Sequence, residues 1–487
     1  MQILKIIFIL FEVLVLFNIL IFVHELGHFL AARWRGLKID RFSIWFGKPI
    51  WKTTLNGVEY CLGSIPAGGY VALPQMAPMD AIEGGSPGDK PREKLPEISA
   101  LDKIIVAFAG PLFSFLLAVV FALIVTWIGR PVTESETTTL IGDVEKDGPA
   151  DKAGLQPGDE IVEIDGKPIT KWLGFGQSVL WRIISSESNH VTIKFRRDGQ
   201  TLSREVPTVV QKTKPWQRAG HPQILVNPAI TPVIGNVASN SPAALAGLKR
   251  MDEVLEVNGQ KLFHPGGLAD YMEAHPEAKT LRLRTRRVDR ERHSTNEFVA
   301  LVTPQVPTTS TNGQPRVGIG WDLSGGLMTI ARPGVEEQIR TSVEAMFNTF
   351  SALFSRKTKV KAQHMGGAVK ILNIYYILFK SEHGWQQAIW FSVIMNVNLA
   401  LLNLLPLPVL DGGHITLALV EAVRRKPVNI RFLQILQTSC AVLIIGFMLY
   451  IMFYDVQDLS WPFGKKPEQP VEMKFSPPPT LTTPAPQ

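Results

Sequence analysis

Cysteine is almost missing from this chain. Among 487 residues only Cys61 and Cys440 carry a thiol, and they form no CxxC pair. That argues against a disulfide framework and a cysteine-rich metal site, so any metal must be held by histidine and carboxylate. There is no basic stripe interleaved with aromatics. The net charge is +7, but Lys and Arg are spread over many segments, which speaks against nucleic acid as a partner. Long apolar runs are lacking between about Pro131 and Glu382, a stretch that reads as ordinary soluble protein. No small-residue cleavage site closes the first apolar run, so a signal peptide is the weaker reading of it.

The apolar residues, 46% of the chain, concentrate near both ends. A spanning helix needs about 20 of them in succession. Four segments qualify, at about Ile3–Ala32, Ile104–Ile128, Ala388–Leu410 and Phe432–Tyr454. Short loops rich in Lys and Arg face the cytoplasm. Arg33, Arg35, Lys38, Arg41, Lys48 and Lys52 follow the first segment, and Arg424, Arg425, Lys426 and Arg431 precede the fourth. The soluble middle and both termini then lie on the opposite, periplasmic side.

The expected plan is a polytopic α-helical membrane protein with four transmembrane helices. Residues 1–32 hold the first helix, 33–103 a cytoplasmic region with a β-prone, glycine-punctuated stretch, and 104–129 the second helix. Two α+β domains follow at 131–222 and 223–305, then an amphipathic juxtamembrane region at 306–387. The third helix is expected at 388–414, a cytoplasmic loop at 415–431 and the fourth helix at 432–454. Pro74–Pro96 reads as a mobile loop, and the Pro- and Thr-rich tail within 455–487 as disordered.

The middle contains a repeat. IGDVEKDGPADKAGLQPGDEIVEIDGKPI (Ile141–Ile169) is echoed by IGNVASNSPAALAGLKRMDEVLEVNGQKL (Ile234–Leu262). Each copy has a β-run, Pro-Ala, a short helix ending Ala-Gly-Leu, and a strand closing on Asp-Gly or Asn-Gly, which are strong turn signals. The copies lie one small domain apart, too far for a solenoid. This pattern resembles the PDZ domain of bacterial proteases. The resemblance implies capture of extended peptides, often by their C-termini, at a sheet edge; the bland alternative is a spacer or steric baffle.

The first apolar segment carries His24-Glu25-Leu26-Gly27-His28. Residues four apart share a helix face, so His24 and His28 can aim two imidazoles at one zinc ion. Glu25, offset by one residue, can act as general base. Ionisable residues inside an apolar span are costly and mark function. A catalytic zinc takes a third protein ligand and leaves a place for water. Asp411, at the end of the third segment, is followed by Gly412 and Gly413, which let the backbone bend. His414 is the competing ligand, less deeply placed and read as a loop histidine.

The HELGH pentad, the NLLPLPVLDGG run at 403–413 and the tandem PDZ-like repeats together resemble the bacterial site-2 protease family over nearly the whole chain. The resemblance implies a zinc metalloendopeptidase of the inner membrane, with His24, His28 and Asp411 as ligands and Glu25 as base. It implies substrate contacts from Asn398 and Asn403, and from a membrane-dipping β-loop at 57–73 that contains Gly68, Gly69 and Tyr70. It further implies single-span membrane substrates, anti-sigma factors and signal-peptide remnants, already cut once outside the membrane. Gly110-Pro111 matches a motif of the family, but Ser114 stands where the family usually has Asn. The rival reading is an inert membrane scaffold that recruits partners through the PDZ-like pair.

Overall fold

The structure, a computed structural model, describes residues 2–76, 98–289, 294–309, 313–426, 428–459 and 473–476. Most of the Pro74–Pro96 loop and most of the tail lie outside these residues. The chain divides into two units. One gathers the helices near both ends; the other holds residues 131–330, 350–361 and the tail.

In the helical unit, α1 (Gln2–Trp34) packs on α2 (Ala100–Ile128). The two backbones approach closely because Gly27 faces α2, where a Cβ would lie 2.4 Å from the carbonyl oxygen of Ala109. Small residues at such crossings are the usual means of close packing between apolar helices. A capping box starts α2: Ser99 accepts from the Asp102 amide, and Asp102 accepts from the Ser99 amide. Asp102 also takes Arg35 Nε at 2.6 Å, which ties the start of α2 to the end of α1.

Between these helices lies a four-stranded sheet of β1 (Arg41–Phe46), β2 (Trp51–Leu55), β3 (Val58–Leu62) and β4 (Ile65–Ala72). The strand order is β2-β3-β1-β4, with β1 parallel to β3 and antiparallel to β4. β4 is therefore an edge strand of this sheet.

The remaining helices are α3 (Val335–Phe354), α4 (Ala368–Lys380), α5 (Gly384–Asn403), α6 (Asp411–Arg424) and α7 (Ile430–Asp458). Buried Asp455 on α7 accepts from the amides of Gly367 at 2.8 Å and Lys370 at 3.2 Å, capping the N-terminus of α4. Such a carboxylate satisfies orphan amides and opposes the helix dipole. Trp385 at the start of α5 donates to buried Glu12 of α1 at 2.9 Å.

Among the described residues three helices are long and apolar enough to cross a membrane: α1, α2 and α7. The expected third span, 388–414, differs from the structure. Its helix begins at Gly384 and ends at Asn403, because Pro406 and Pro408 disfavour helix in the residues before them. The expected loop at 415–431 is mostly helix too, since Asp411 opens the amphipathic α6. α5 falls short on apolarity because it carries Gln386, Gln387, Asn396, Asn398 and Asn403, of which Asn396 is fully buried, as is Ser392.

The second unit contains two α/β subdomains of like build. The first has a sheet with His190–Arg197 between Gln200–Pro207 and Glu160–Ile164, and the second has Leu281–Asp289 between Ser294–Val302 and Glu253–Val257. In each, a late strand returns to pair with the first one. Val226–Pro228 pairs with Ile141–Val144, and Ile319–Trp321 pairs with Ile234–Val237. The subdomains therefore close later than the expected boundaries at 222 and 305. Ile224 belongs to the first core, and Val317 and Ile319 to the second. Part of the expected juxtamembrane region 306–387 is thus the closing strand of the second subdomain.

The tail also departs from expectation. Residues 473–476 are bonded to the second subdomain. The Thr308 amide and hydroxyl both donate to the Lys474 carbonyl, at 2.8 and 2.9 Å.

Candidate metal centre

The site is built from α1, α2, α5 and the start of α6. His24 and His28 lie one helical turn apart on α1, with their Nε2 atoms 3.3 Å from each other. Asp411, the first residue of α6, places Oδ2 3.3 Å from His24 Nε2 and Oδ1 3.3 Å from His28 Nε2. Gly412 and Gly413 make this possible in a way that differs from the expected bend. They lie within α6, and a Cβ on either would strike the carbonyls of Leu404 or Leu407 at 2.3 and 2.1 Å. Their smallness lets the proline-bearing turn fold back on the helix it precedes.

The outer nitrogens of both imidazoles are engaged. His28 Nδ1 lies 2.8 Å from the Val106 carbonyl oxygen. A carbonyl only accepts, so Nδ1 carries the proton and neutral His28 presents a lone pair at Nε2. His24 Nδ1 lies 2.9 Å from the hydroxyl of fully buried Ser114. Metal-binding histidines are oriented by such outer partners. Pro111 belongs to the same stretch of α2; a proline in a helix removes one backbone hydrogen bond and opens the local turn. Gly110 leaves room for the ring, since a Cβ there would lie 2.2 Å from His28 Nε2.

Three groups able to ligate a metal thus converge, and Asp411 Oδ2 has no hydrogen-bond partner among the described residues. Without a cation between them this arrangement is electrostatically costly. The two carboxylate oxygens divide between the rings, Oδ2 toward His24 and Oδ1 toward His28, and one ligand atom from each of the three residues lies within 4.8 Å of the others. Two imidazoles and a carboxylate, with a place left for water, are a donor set that fits zinc.

The other expected site residues divide. Asn403 reaches the cluster, with Nδ2 3.3 Å from His24 Nε2. Asn398 makes no contact with it among the described residues, and its side-chain carbonyl is buried without a hydrogen-bond partner. Helical phase explains this, because five residues turn the side chain by about 140°. Glu25 rests against β4, where a Cβ on Gly69 would lie 3.0 Å from its Cγ. Gly68, at φ 68°, packs on Phe46, and Tyr70 stacks on Phe46 with ring centroids 6.1 Å apart. Tyr70 also accepts from Arg41 Nη1 at 3.1 Å, so its ring and hydroxyl are engaged within the sheet. His414 stands outside the cluster. Ser114, noted in sequence only as a departure from the family's Asn, proves to be the partner of His24.

Comparison with known proteins agrees with this geometry. The model of peptidase family M50 matches residues 12–447. A putative zinc metalloprotease of Pasteurella multocida is 27% identical over 91% of this chain and 97% of its own length. Protease RseP of Yersinia pestis is 27% identical over 92% and 98%, and a regulator of sigma E protease of Haemophilus influenzae is 26% identical over 90% and 96%. With its long apolar helices, the chain is an inner-membrane protein. A family match that runs from α1 into α7, across helices that bring two histidines and an aspartate to one point, shows that the chain belongs to peptidase family M50, the site-2-type metalloproteases.

Proposed function

We propose that this peptidase hydrolyses bonds inside the transmembrane segments of single-span proteins, using zinc held by His24, His28 and Asp411. The observation that carries this reading is the convergence of His24 and His28, on an apolar helix, with Asp411 at the start of α6, each imidazole Nε2 lying 3.3 Å from a carboxylate oxygen. Zinc supplies Lewis-acid chemistry when bound, activating water and polarising a carbonyl. Glu25 takes the proton of the attacking water and later delivers one to the leaving amine, a role typically worth about 10²–10⁴-fold. Asn403 and the open edge of β4 at Gly68–Tyr70 hold the substrate in extended form, since a helical peptide bond is shielded by its own hydrogen bonds. Asn398, on another face of α5, is assigned to helix packing.

The relatives named regulator of sigma E protease suggest an anti-sigma factor as substrate, cut first outside the membrane, in envelope stress signalling. Remnant signal peptides form a second class. The two α/β subdomains are read as PDZ-like. A cavity of about 990 Å³ lies between the strand around Ile224–Val226 and the helix bearing Val179, Leu180 and Ile183 of the first, with Asp270 and Glu273 of the second also lining it. That groove supports binding of an extended peptide.

A four-span topology has support from connectivity. The bond between Thr308 and Lys474 supports a shared membrane face for the α/β unit and the tail. An even number of crossings must then separate them, and α7 supplies one. α5 is the other. The charge pattern sets that shared face as periplasmic and puts the zinc site near the cytoplasmic side.

Glu25→Gln tests the mechanism on a detergent-solubilised single-span substrate. Cleavage is expected to vanish while stoichiometric zinc is retained, and a chelator is expected to abolish wild-type cleavage. Full activity of the variant would eliminate Glu25 as base.

A further inference from the structure

The tail of this chain is rich in Pro, Thr and charge, and after Phe463 it contains a single aromatic residue, Phe475. That residue is buried, with 7% of its surface exposed. Its ring lies against Gly318, where a Cβ would come within 3.0 Å of it and within 2.2 Å of the Ser241 Cβ. Gly318 has φ +82°, a conformation that favours glycine, so the backbone here leaves space that the ring occupies.

Polar contacts fix the segment beside the ring. Thr308 donates its amide and its hydroxyl to the Lys474 carbonyl at 2.8 and 2.9 Å, and the Lys474 amide donates to Thr309 Oγ1 at 3.3 Å. Ser476 precedes Pro477, and a residue before proline is biased toward extended backbone. A short segment that bonds through its main chain and buries one side chain has the form of a docked linear peptide.

We propose that Met473–Ser476 is a tethered ligand of the second α/β subdomain, with Phe475 as its anchor and Thr308 as its backbone clamp. Asp458 ends the last helix, so the intervening chain is a leash no longer than about 50 Å. The subdomain is then fastened to the membrane helices at two points, through α3 and through the tail. An extended segment from another protein that presents an aromatic side chain must displace the tail to enter. The inference does not depend on zinc or on cleavage.

Hydrogen exchange on the full-length protein in detergent tests it. Removing a buried ring weakens docking severely, so Phe475→Ala is expected to accelerate exchange at the Thr308 amide at least about tenfold. The Leu283 amide, in the core sheet of the same subdomain, should stay protected. A chain ended after Val471 should behave alike without any substitution. A free peptide of residues 468–480, added at about 1 mM to match the concentration a tether provides, should restore protection in the truncated chain. Unchanged Thr308 exchange in both variants, or no restoration by the peptide, would overturn the proposal.

Discussion

Asp411 in the helical unit and Asp159 and Asp252 in the α/β unit are carboxylates withdrawn from water, and they keep different company. Asp159 takes both arms of Arg197, at 2.6 and 2.7 Å, and the Gln156 amide at 2.8 Å. Asp252 repeats the pattern with Arg287, at 2.6 Å to each oxygen, and with the Lys249 amide at 2.8 Å. Each arginine also donates to a glycine carbonyl at 2.8 Å, Gly154 in one copy and Gly247 in the other. The carboxylate raises the pKa of its arginine chiefly through this hydrogen bonding. Among the described residues Asp411 has no arginine and no amide; it faces the Nε2 atoms of two imidazoles, and with the Nδ1 proton of His28 committed to Val106 the neutral ring offers a lone pair there. A buried carboxylate satisfied by a fork and an amide is a structural joint. One aimed at other acceptors is a metal ligand in waiting.

The comparison is broken most severely by removing Asp411. Asp411→Asn keeps the shape but loses the charge and half the acceptor capacity. Zinc content and cleavage should both fall to background, with the fold of the α/β unit untouched; metal analysis and a cleavage assay check this. A variant that retained stoichiometric zinc would mean that another residue completes the site.

Ser114→Ala should act next. It leaves His24 in place and removes the group that fixes its ring. Loss of such outer partners usually costs about 10–100-fold in metal affinity or activity. Competition with a zinc chelator is the measurement, and Ser114→Asn, which restores the residue usual in the family, should recover most of the loss. Unaltered affinity in Ser114→Ala would show that α1 packing alone orients His24.

Much of this site is legible in the sequence because its parts are local. The spacing of His24 and His28 needs only one helical turn, and Gly412-Gly413 marks the acid beside them. What depends on two helices meeting is not legible. The carbonyl of Val106 and the hydroxyl of Ser114 gain their roles from the approach of α1 and α2 at Gly27 and Ala109. Asn398 is implied by the family resemblance, as Asn403 is, and helical phase keeps it out of contact with the cluster. The break after Asn403 is written in Pro406 and Pro408, yet the apolar run through Leu410 masks it. α6 reads as a loop because its basic end dominates a short amphipathic pattern. The closing strands at Val226–Pro228 and Ile319–Trp321 are short and pair with residues far away in sequence, which leaves no local periodicity to find.

The smallest of these effects concerns the structural side of the comparison, and it tests whether the two repeats are energetically alike. Asp159→Ala and Asp252→Ala each remove a fork and leave a loop amide, of Gln156 or Lys249, without its acceptor. Breaking a buried pair from one side costs about 3–5 kcal/mol. Here the arginines are 26% and 34% exposed and can turn to water, so about 1–3 kcal/mol is expected for each. Zinc content should not change in either variant. The copies should differ in their neighbours, however. The second subdomain also carries Arg286 on Glu253 at 2.5 Å, a carboxylate with only 5% of its side chain exposed. The matching pair in the first, Arg196 with Glu160, is 2.9 Å long, and its carboxylate is 37% exposed. Exposed pairs contribute little and are screened by salt. Asp252→Ala should therefore leave a nearby buried pair to share the load, and Asp159→Ala should not. Thermal unfolding of the α/β unit within the full chain should show the larger loss for Asp159→Ala. Equal losses would mean that each fork acts alone and that the neighbouring pairs are irrelevant to it.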